Sequence, residues 1–124
     1  MDEKEINILS LAYLGDSVYE LNIRKNLISK KIYKVNDLQS KALDYVTAKK
    51  QCYYINKLID NDLLNDIELD IVKRGRNAKV SSHPKNTDIV TYKWATGLEC
   101  LFGYLYIKED KERINELIRI IMED

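Results

Sequence analysis

A chain of 124 residues suffices for one domain with one hydrophobic core and leaves no room for a second nucleic-acid-binding module. Twenty basic residues balance twenty acidic ones, so the molecule as a whole has no net attraction for nucleic acid or for an anionic membrane. Two distant cysteines and one histidine are too few soft ligands for a zinc site. Any binding of a polyanion must therefore come from local segregation of charge.

No apolar segment is both long enough and free enough of charge to span a bilayer. The first five residues lack the basic start and the apolar centre of a signal peptide. We therefore expect a single cytoplasmic domain over residues 1–124 with no membrane partner. Helical periodicity recurs along the chain and no segment alternates apolar and polar residues convincingly, which predicts an all-α fold.

The first predicted helix runs to about Leu27 and is apolar on nearly every side. Between Ile8 and Tyr19 its one charged residue is Asp16. One of its apolar stripes consists of Leu11, Leu14, Val18 and Leu21. Because a helix that is apolar all round belongs in a core, we expect this helix to be central and Asp16 to be buried.

Two further helices are predicted in the middle of the chain. A capping box of Asn36 and Gln39 begins one long helix, which carries apolar residues at helical spacing as far as Ile59. A shorter helix runs from about Asp66 to near Gly75. Its predicted inward residues are Ile67, Ile71 and Val72, and its predicted outward residues are Glu68 and Asp70.

Residues 73–87 contain no acid and gather basic side chains. Pro84 is expected to interrupt helical structure here, because proline disfavours helix at the residue before it. Such a loop is suited to contact with a polyanion, and the alternative is a solvated loop without a partner. We expect the loop to be mobile in the absence of nucleic acid. The candidate contacts are Lys73, Arg74, Arg76, Asn77, Lys79 and Lys85.

The next predicted helix repeats the pattern of the first, since Glu99 is the only charge from Trp94 to Ile107. Asp88 or one of the two residues before it is placed to cap the N-terminus of this helix. A last helix begins near Lys111. Its predicted core residues are Ile114, Leu117, Ile118 and Ile121.

Two helices that are expected to be central thus carry one acid each, Asp16 and Glu99. Two carboxylates that meet must share a proton or hold a cation, and Mg²⁺ is the usual cation. The alternative is that each acid accepts hydrogen bonds from a helix end or a lysine. Glu20 lies one turn after Asp16 and is a candidate for orienting a water on the ion, and its alternative role is an ion pair with Arg24.

Nine tyrosines in so short a chain are also unusual, and several lie beside the two acids. Filling of the core and its rim explains them better than a role at a site. A long apolar helix in a small chain further indicates that part of its surface is buried in a symmetric dimer.

Four segments resemble a known family. Leu14-Gly15-Asp16-Ser17-Val18 resembles the signature helix of ribonuclease III catalytic domains, and Glu99-Cys100-Leu101-Phe102-Gly103 begins a stretch similar to their second acidic motif. Residues 74–79 and 84–88 narrow the resemblance to the Mini-ribonuclease III family, which lacks the double-stranded-RNA-binding domain. The order and spacing of these segments extend the resemblance over essentially the whole chain.

The resemblance implies an all-α homodimer that uses Mg²⁺ to cut double-stranded RNA, notably stems in precursor large-subunit (23S) ribosomal RNA. Asp16 and Glu99 match the metal-binding, catalytic acids of the family. Ala12 and Thr96 stand where the longer ribonucleases III have a glutamate and an aspartate, so this chain has two fewer acids. The alternatives are a non-catalytic RNA-binding or ribosome-assembly factor of the same fold, and a protein-binding helical domain without affinity for RNA.

Overall fold

The computed structural model describes residues 5–79 and 83–123, and this part of the chain contains helices and no strand. The all-α prediction is confirmed. In chain order the helices are α1 (Ile8–Ser29), α2 (Val35–Val46), α3 (Ala48–Asp60), α4 (Asp66–Asn77), α5 (Ile89–Ile107) and α6 (Lys111–Met122). None of the described helices is long and apolar enough to cross a membrane.

Helix α5 is the centre of the fold, as its apolar sequence predicts. It packs against α1, α3, α4 and α6, so apolar residues are buried on all of its sides. Phe102 is fully buried there and meets the ring of Tyr19 edge-on, with 5.2 Å between the ring centres. Tyr19 also donates a 2.7 Å hydrogen bond to the carbonyl oxygen of Tyr45. This tyrosine therefore belongs to the core, in agreement with the sequence-based interpretation.

Helix α1 is central along one face only. Leu11 and Val18 are buried as predicted, but Leu21 is 65% exposed and Tyr13 is 85% exposed. The prediction that α1 is covered all round, with Asp16 buried, is wrong for this single chain, and Asp16 is exposed. The reason is that none of the helices in residues 5–79 and 83–123 covers that face of α1.

Two glycines allow α1 and α5 to cross at backbone contact. A Cβ atom on Gly15 would lie 1.6 Å from the carbonyl oxygen of Glu99, and one on Gly103 would lie 2.1 Å from the carbonyl oxygen of Leu11. No larger residue fits at either position without separation of the helices. A second close contact, between Gly75 of α4 and Gly97 of α5, holds α4 against the same central helix.

The long helix predicted from Leu38 to Ile59 is in fact two helices. Thr47 has an extended backbone, with φ of −68° and ψ of 153°, and its side-chain oxygen accepts a 3.2 Å hydrogen bond from the backbone N–H of Lys50. Threonine is a favoured helix N-cap, so it ends α2 and starts α3. The bend stacks the rings of Tyr45 and Tyr54 with their centres 5.9 Å apart.

The helix starts are partly as predicted. The capping box predicted at Asn36 and Gln39 is wrong, because α2 begins after Lys34 and has no side-chain cap. A capping box instead begins α4, where Asn65 and Glu68 each bond to the other's backbone N–H. Asp88 caps α5 as predicted, through a 3.2 Å hydrogen bond from the backbone N–H of Thr91.

Glu68 and Ile67 exchange the environments predicted for them. Ile67 is 60% exposed, whereas Glu68 is buried and pairs with Arg113 of α6. The guanidinium donates to both carboxylate oxygens of Glu68 at 2.8 Å and to the carbonyl oxygen of Leu63 at 2.6 Å. The hydrogen bonds to Glu68, followed by one to Glu116, raise the pKa of Arg113 further above its ordinary value. The bidentate pair fixes α6 to the start of α4.

Replacement of Arg113 by methionine is expected to lower the free energy of unfolding by about 3–5 kcal/mol, because it leaves the Glu68 carboxylate buried without a cation. Denaturant unfolding of the single variant and of an Arg113→Met/Glu68→Met double variant checks this. The double variant should recover most of the lost stability. About 1 kcal/mol should remain lost, because Glu68 also accepts the hydrogen bond from the backbone N–H of Asn65 at the start of α4. A loss below about 1 kcal/mol in the single variant would contradict a structural role for the pair.

Candidate active site

The α1–α5 crossing brings the two predicted acids together. Asp16 follows Gly15, and the backbone of Glu99 is the group against which Gly15 packs. The carboxyl groups of Asp16 and Glu99 are close enough for Asp16 to raise the pKa of Glu99. The same backbone contact that requires glycine at position 15 therefore sets the spacing of the two acids.

The environment of Glu99 opposes its ionisation. Burial, followed by the charge of Asp16, a hydrogen bond with Asp16 and the charge of Glu20, raises the pKa of Glu99 to about 8. A carboxyl group in this state holds a proton at neutral pH unless a cation replaces it. Among the residues that the structure describes, neither acid of the pair forms an ion pair with a basic side chain.

Asp16 and Glu99 differ in their access to solvent. Glu99 is partly buried between the helices, and Asp16 lies at the surface, so the pair opens outward. A ligand that approaches from solvent reaches Asp16 first. This arrangement suits an ion shared between the protein and a large substrate better than an ion enclosed by the protein.

Glu20 lies at the edge of the acid pair. One of its carboxylate oxygens is 3.9 Å from the guanidinium of Arg24, and the side chains of Glu20 and Arg24 are 39% and 70% exposed. An exposed pair at this distance contributes little to stability. Glu20 therefore stays available to the site, where its charge already acts on Glu99.

The donor set fits a hydrated Mg²⁺ ion. Residues 5–79 and 83–123 contain no cluster of three or more acidic, histidine or cysteine side chains that could enclose a metal. Ala12 and Thr96 are buried, and the Thr96 hydroxyl donates to the carbonyl oxygen of Tyr92 at 3.0 Å. Mg²⁺ commonly takes one or two protein carboxylates and fills its remaining positions with waters and substrate phosphate oxygens, so two acids suffice.

The predicted basic loop is shorter than expected, because its first part continues α4. Lys73, Arg74, Arg76 and Asn77 lie in the last turns of that helix. The prediction of a mobile loop from position 73 is therefore wrong as far as Asn77. The sequence predicts that the helix ends near Gly75, but Gly75 lies within α4 and packs against α5.

The remaining part of that loop is only partly described. Lys79 and Lys85 are exposed on either side of residues 80–82, which fall outside the described residues. The prediction of mobility for the segment between these lysines stays a prediction.

Arg76 is held by a residue that the sequence did not single out. Its guanidinium carbon lies 4.7 Å from the centre of the Trp94 ring, and its Nε donates a 3.1 Å hydrogen bond to the side-chain oxygen of Asn77. A guanidinium over an indole ring is a favourable cation–π arrangement. The terminal nitrogens of Arg76 have no acceptor among the described residues, so they are available to an anionic ligand.

Comparison with known proteins agrees with the resemblance. Residues 9–110 match the ribonuclease III domain family. The chain is 44% identical over 117 residues to a protein from Enterococcus faecalis named Mini-ribonuclease 3. These residues are 94% of this chain and 89% of that protein. A Mini-ribonuclease 3 from Clostridium tetani is 42% identical over 122 residues, which are 98% of this chain and 80% of the relative.

A solved structure supports the same relationship. The crystal structure of a protein from Fusobacterium nucleatum superposes with a TM-score of 0.83 at 32% sequence identity, covering 96% of this chain and 93% of that one. Fold, sequence and length therefore agree. The chain belongs to the ribonuclease III family, alongside the relatives named Mini-ribonuclease 3, and is an endoribonuclease of the type that acts on double-stranded RNA.

Proposed function

We propose that the enzyme uses Mg²⁺ held by Asp16 and Glu99 to cut both strands of an RNA duplex, and that its substrate is a stem in precursor 23S ribosomal RNA. The observation that carries the metal assignment is the proximity of two carboxyl groups at the α1–α5 crossing, where neither forms an ion pair with a described basic residue. The substrate assignment rests on the resemblance to the family. A precursor ribosomal RNA substrate would place the enzyme in the cytoplasm.

Each residue of the site has a separate task in this proposal. Asp16 and Glu99 hold the ion from two helices, and the rigid crossing at Gly15 keeps them at a fixed separation. An ion held there would supply positive charge beside the scissile phosphate and would lower the pKa of a nearby water. Glu20 orients water at the edge of the site. In this proposal the acids do not recognise the bases of the RNA, so they act on any phosphodiester that reaches them.

The end of α4 supplies the contacts that hold the RNA backbone. Arg74 and Arg76 lie in its last turn, and Arg76 is kept in place by Trp94. The neighbouring residues Lys73, Asn77, Lys79 and Lys85 are exposed and extend this surface along the chain. Proteins recognise A-form RNA chiefly through its shape, phosphates and 2′-hydroxyls, so selection should depend on stem shape more than on sequence.

A homodimer would complete the enzyme. Tyr13, Leu21 and Ile28 are exposed and lie seven or eight residues apart, so they share the face of α1 that the chain itself leaves uncovered. A second copy packed on this face would bury that apolar surface. Two copies related by a twofold axis would present two acid pairs, one for each strand of the duplex.

Incubation of the purified protein with a long RNA duplex, in Mg²⁺ or in excess chelator, tests the proposed function. Discrete cuts in both strands that require Mg²⁺ are the expected result. Binding of the duplex without cleavage under every condition would overturn the catalytic assignment and favour an RNA-binding assembly factor.

Replacement of both Arg74 and Arg76 by alanine is expected to weaken binding to duplexes of different sequence equally and to reduce the slope of log affinity against log salt by about 1.5. The reason is that each arginine contacts phosphate rather than a base edge. Fluorescence anisotropy in chelator measures this without cleavage. Arg119→Ala on the exposed face of α6 is the control, and an equal loss in the control would contradict the assignment.

A further inference from the structure

A second basic surface lies around the connection between α1 and α2, outside α4 and the segment that follows it. Between residues 25 and 41 there are five lysines and one aspartate, a net charge of +4 in a chain whose total charge is zero. None of these lysines has a role in the proposed function. The net charge of +4 is only slightly below the net charge of +5 on residues 73–87, which carry five lysines and arginines and no acid.

The connection between the helices gives this charge a defined shape. Helix α1 ends at Ser29, and Lys31 then takes a left-handed backbone conformation with φ of 65°, which turns the chain towards α2. The turn forms an open groove of about 500 Å³. Its charged and aromatic lining consists of Lys31, Tyr33, Lys34, Asp37 and Lys41.

The three groove lysines are available to a ligand. Among the residues that the structure describes, none of Lys31, Lys34 and Lys41 forms an ion pair, and all three are exposed. Tyr33 stands among them with 69% of its surface exposed, so an aromatic face is presented beside the charges. Ammonium groups around an open groove, with a tyrosine between them, suit a ligand with spaced phosphates and sugars.

The position of the groove relative to the acid pair fits one extended ligand. From Asp16 to Lys30 there are 14 residues of α1 and its cap, which at 1.5 Å per residue separate the two places by about 21 Å along the helix axis. An RNA duplex is a rigid rod, so one that enters the active site also extends over neighbouring surfaces. A duplex that runs along α1 from the acid pair would bring phosphates about 21 Å beyond the cleaved one to the groove.

We propose that the surface formed by Lys31, Tyr33, Lys34 and Lys41, the α1–α2 basic surface, binds a second stretch of phosphate backbone of the RNA duplex that the active site cuts. This inference rests on the proposed function, because it takes the same duplex as the ligand. The surface adds affinity and takes no part in the chemical step. The enzyme should accordingly favour duplexes that extend beyond the cut far enough to cover it.

A triple variant, Lys31→Gln/Lys34→Gln/Lys41→Gln, tests the inference against a charge-matched control, Lys108→Gln/Lys111→Gln/Arg119→Gln. Affinity for a long duplex is measured by anisotropy in chelator over a range of salt concentrations, and cleavage kinetics are measured in Mg²⁺. Loss of three phosphate contacts should reduce the salt slope by about 2–3 and raise KM by about tenfold or more. The value of kcat should stay within about twofold of wild type, because the surface is remote from the acids.

Several outcomes would overturn the inference. They are a triple variant with the wild-type salt slope and KM, an equal loss in the control variant, and a fall in kcat at unchanged KM. Failure of the proposed function looks different, because wild type would then bind the duplex without Mg²⁺-dependent cleavage. In that case the salt slope alone still decides whether the α1–α2 basic surface binds RNA.

Discussion

Replacement of Asp16 by asparagine should reduce the cleavage of duplex RNA by about 1,000-fold, which corresponds to about 4 kcal/mol of lost transition-state stabilisation. The variant keeps the size of the side chain and removes the charge that holds the ion. Asp16 is exposed, and its loss relieves repulsion with Glu99, so folding should not suffer. RNA binding should stay within about twofold of wild type, because the phosphate contacts lie elsewhere.

Initial rates in Mg²⁺ and anisotropy in chelator separate these two effects. Asp70→Asn is the control, since Asp70 is an exposed acid in the middle of α4. Glu99→Gln should resemble the Asp16 variant in its loss of cleavage. Cleavage by the Asp16 variant within about tenfold of wild type would show that the carboxylate does not hold the catalytic ion.

The second large effect is expected from Gly15→Ala, which should lower the free energy of unfolding by about 3 kcal/mol or more. An alanine Cβ would lie 1.6 Å from the carbonyl oxygen of Glu99 and 2.8 Å from the backbone nitrogen of Gly103. Both obstacles are backbone atoms, so relief requires movement of α1 away from α5. Cleavage should also fall, because the same movement separates Asp16 from Glu99.

Thermal and denaturant unfolding measure the first effect, and Ser17→Ala at an exposed position of the same helix is the control. In an exposed, unpacked helix the change from glycine to alanine stabilises by up to about 1 kcal/mol. A neutral or stabilising effect of Gly15→Ala would therefore refute the close helix crossing on which the geometry of the site depends.

The sequence predicted the helices whose signals are local. The apolar pattern around Glu99 located α5, and Asp88 marked its start through ordinary capping chemistry. The sequence does not reveal the break at Thr47, because apolar residues keep the same helical spacing from α2 into α3. Glu68 was placed outside because its partner, Arg113, lies 45 residues away, and no local pattern reports a contact of that kind.

The two acids were found because each is the only charge in an apolar stretch, and the structure places them side by side. Their catalytic roles stay predictions. The exposure of Asp16 was not predicted, because periodicity identifies an apolar face but does not say whether the same chain covers it. The contact between Arg76 and Trp94 had no sequence signal, because a tryptophan in an apolar helix is usually a core residue.

The central claim is that Asp16 and Glu99 together hold a divalent cation, and Mn²⁺ binding tests it most directly. The electron paramagnetic resonance signal of free Mn²⁺ is lost when the ion binds protein, so titration of the RNA-free enzyme counts the sites. Wild type and Asp70→Asn should both bind, and the double variant Asp16→Asn/Glu99→Gln should lose that binding while it stays folded by circular dichroism. Equal binding by the folded double variant, or no binding by wild type at millimolar Mn²⁺, would contradict the claim.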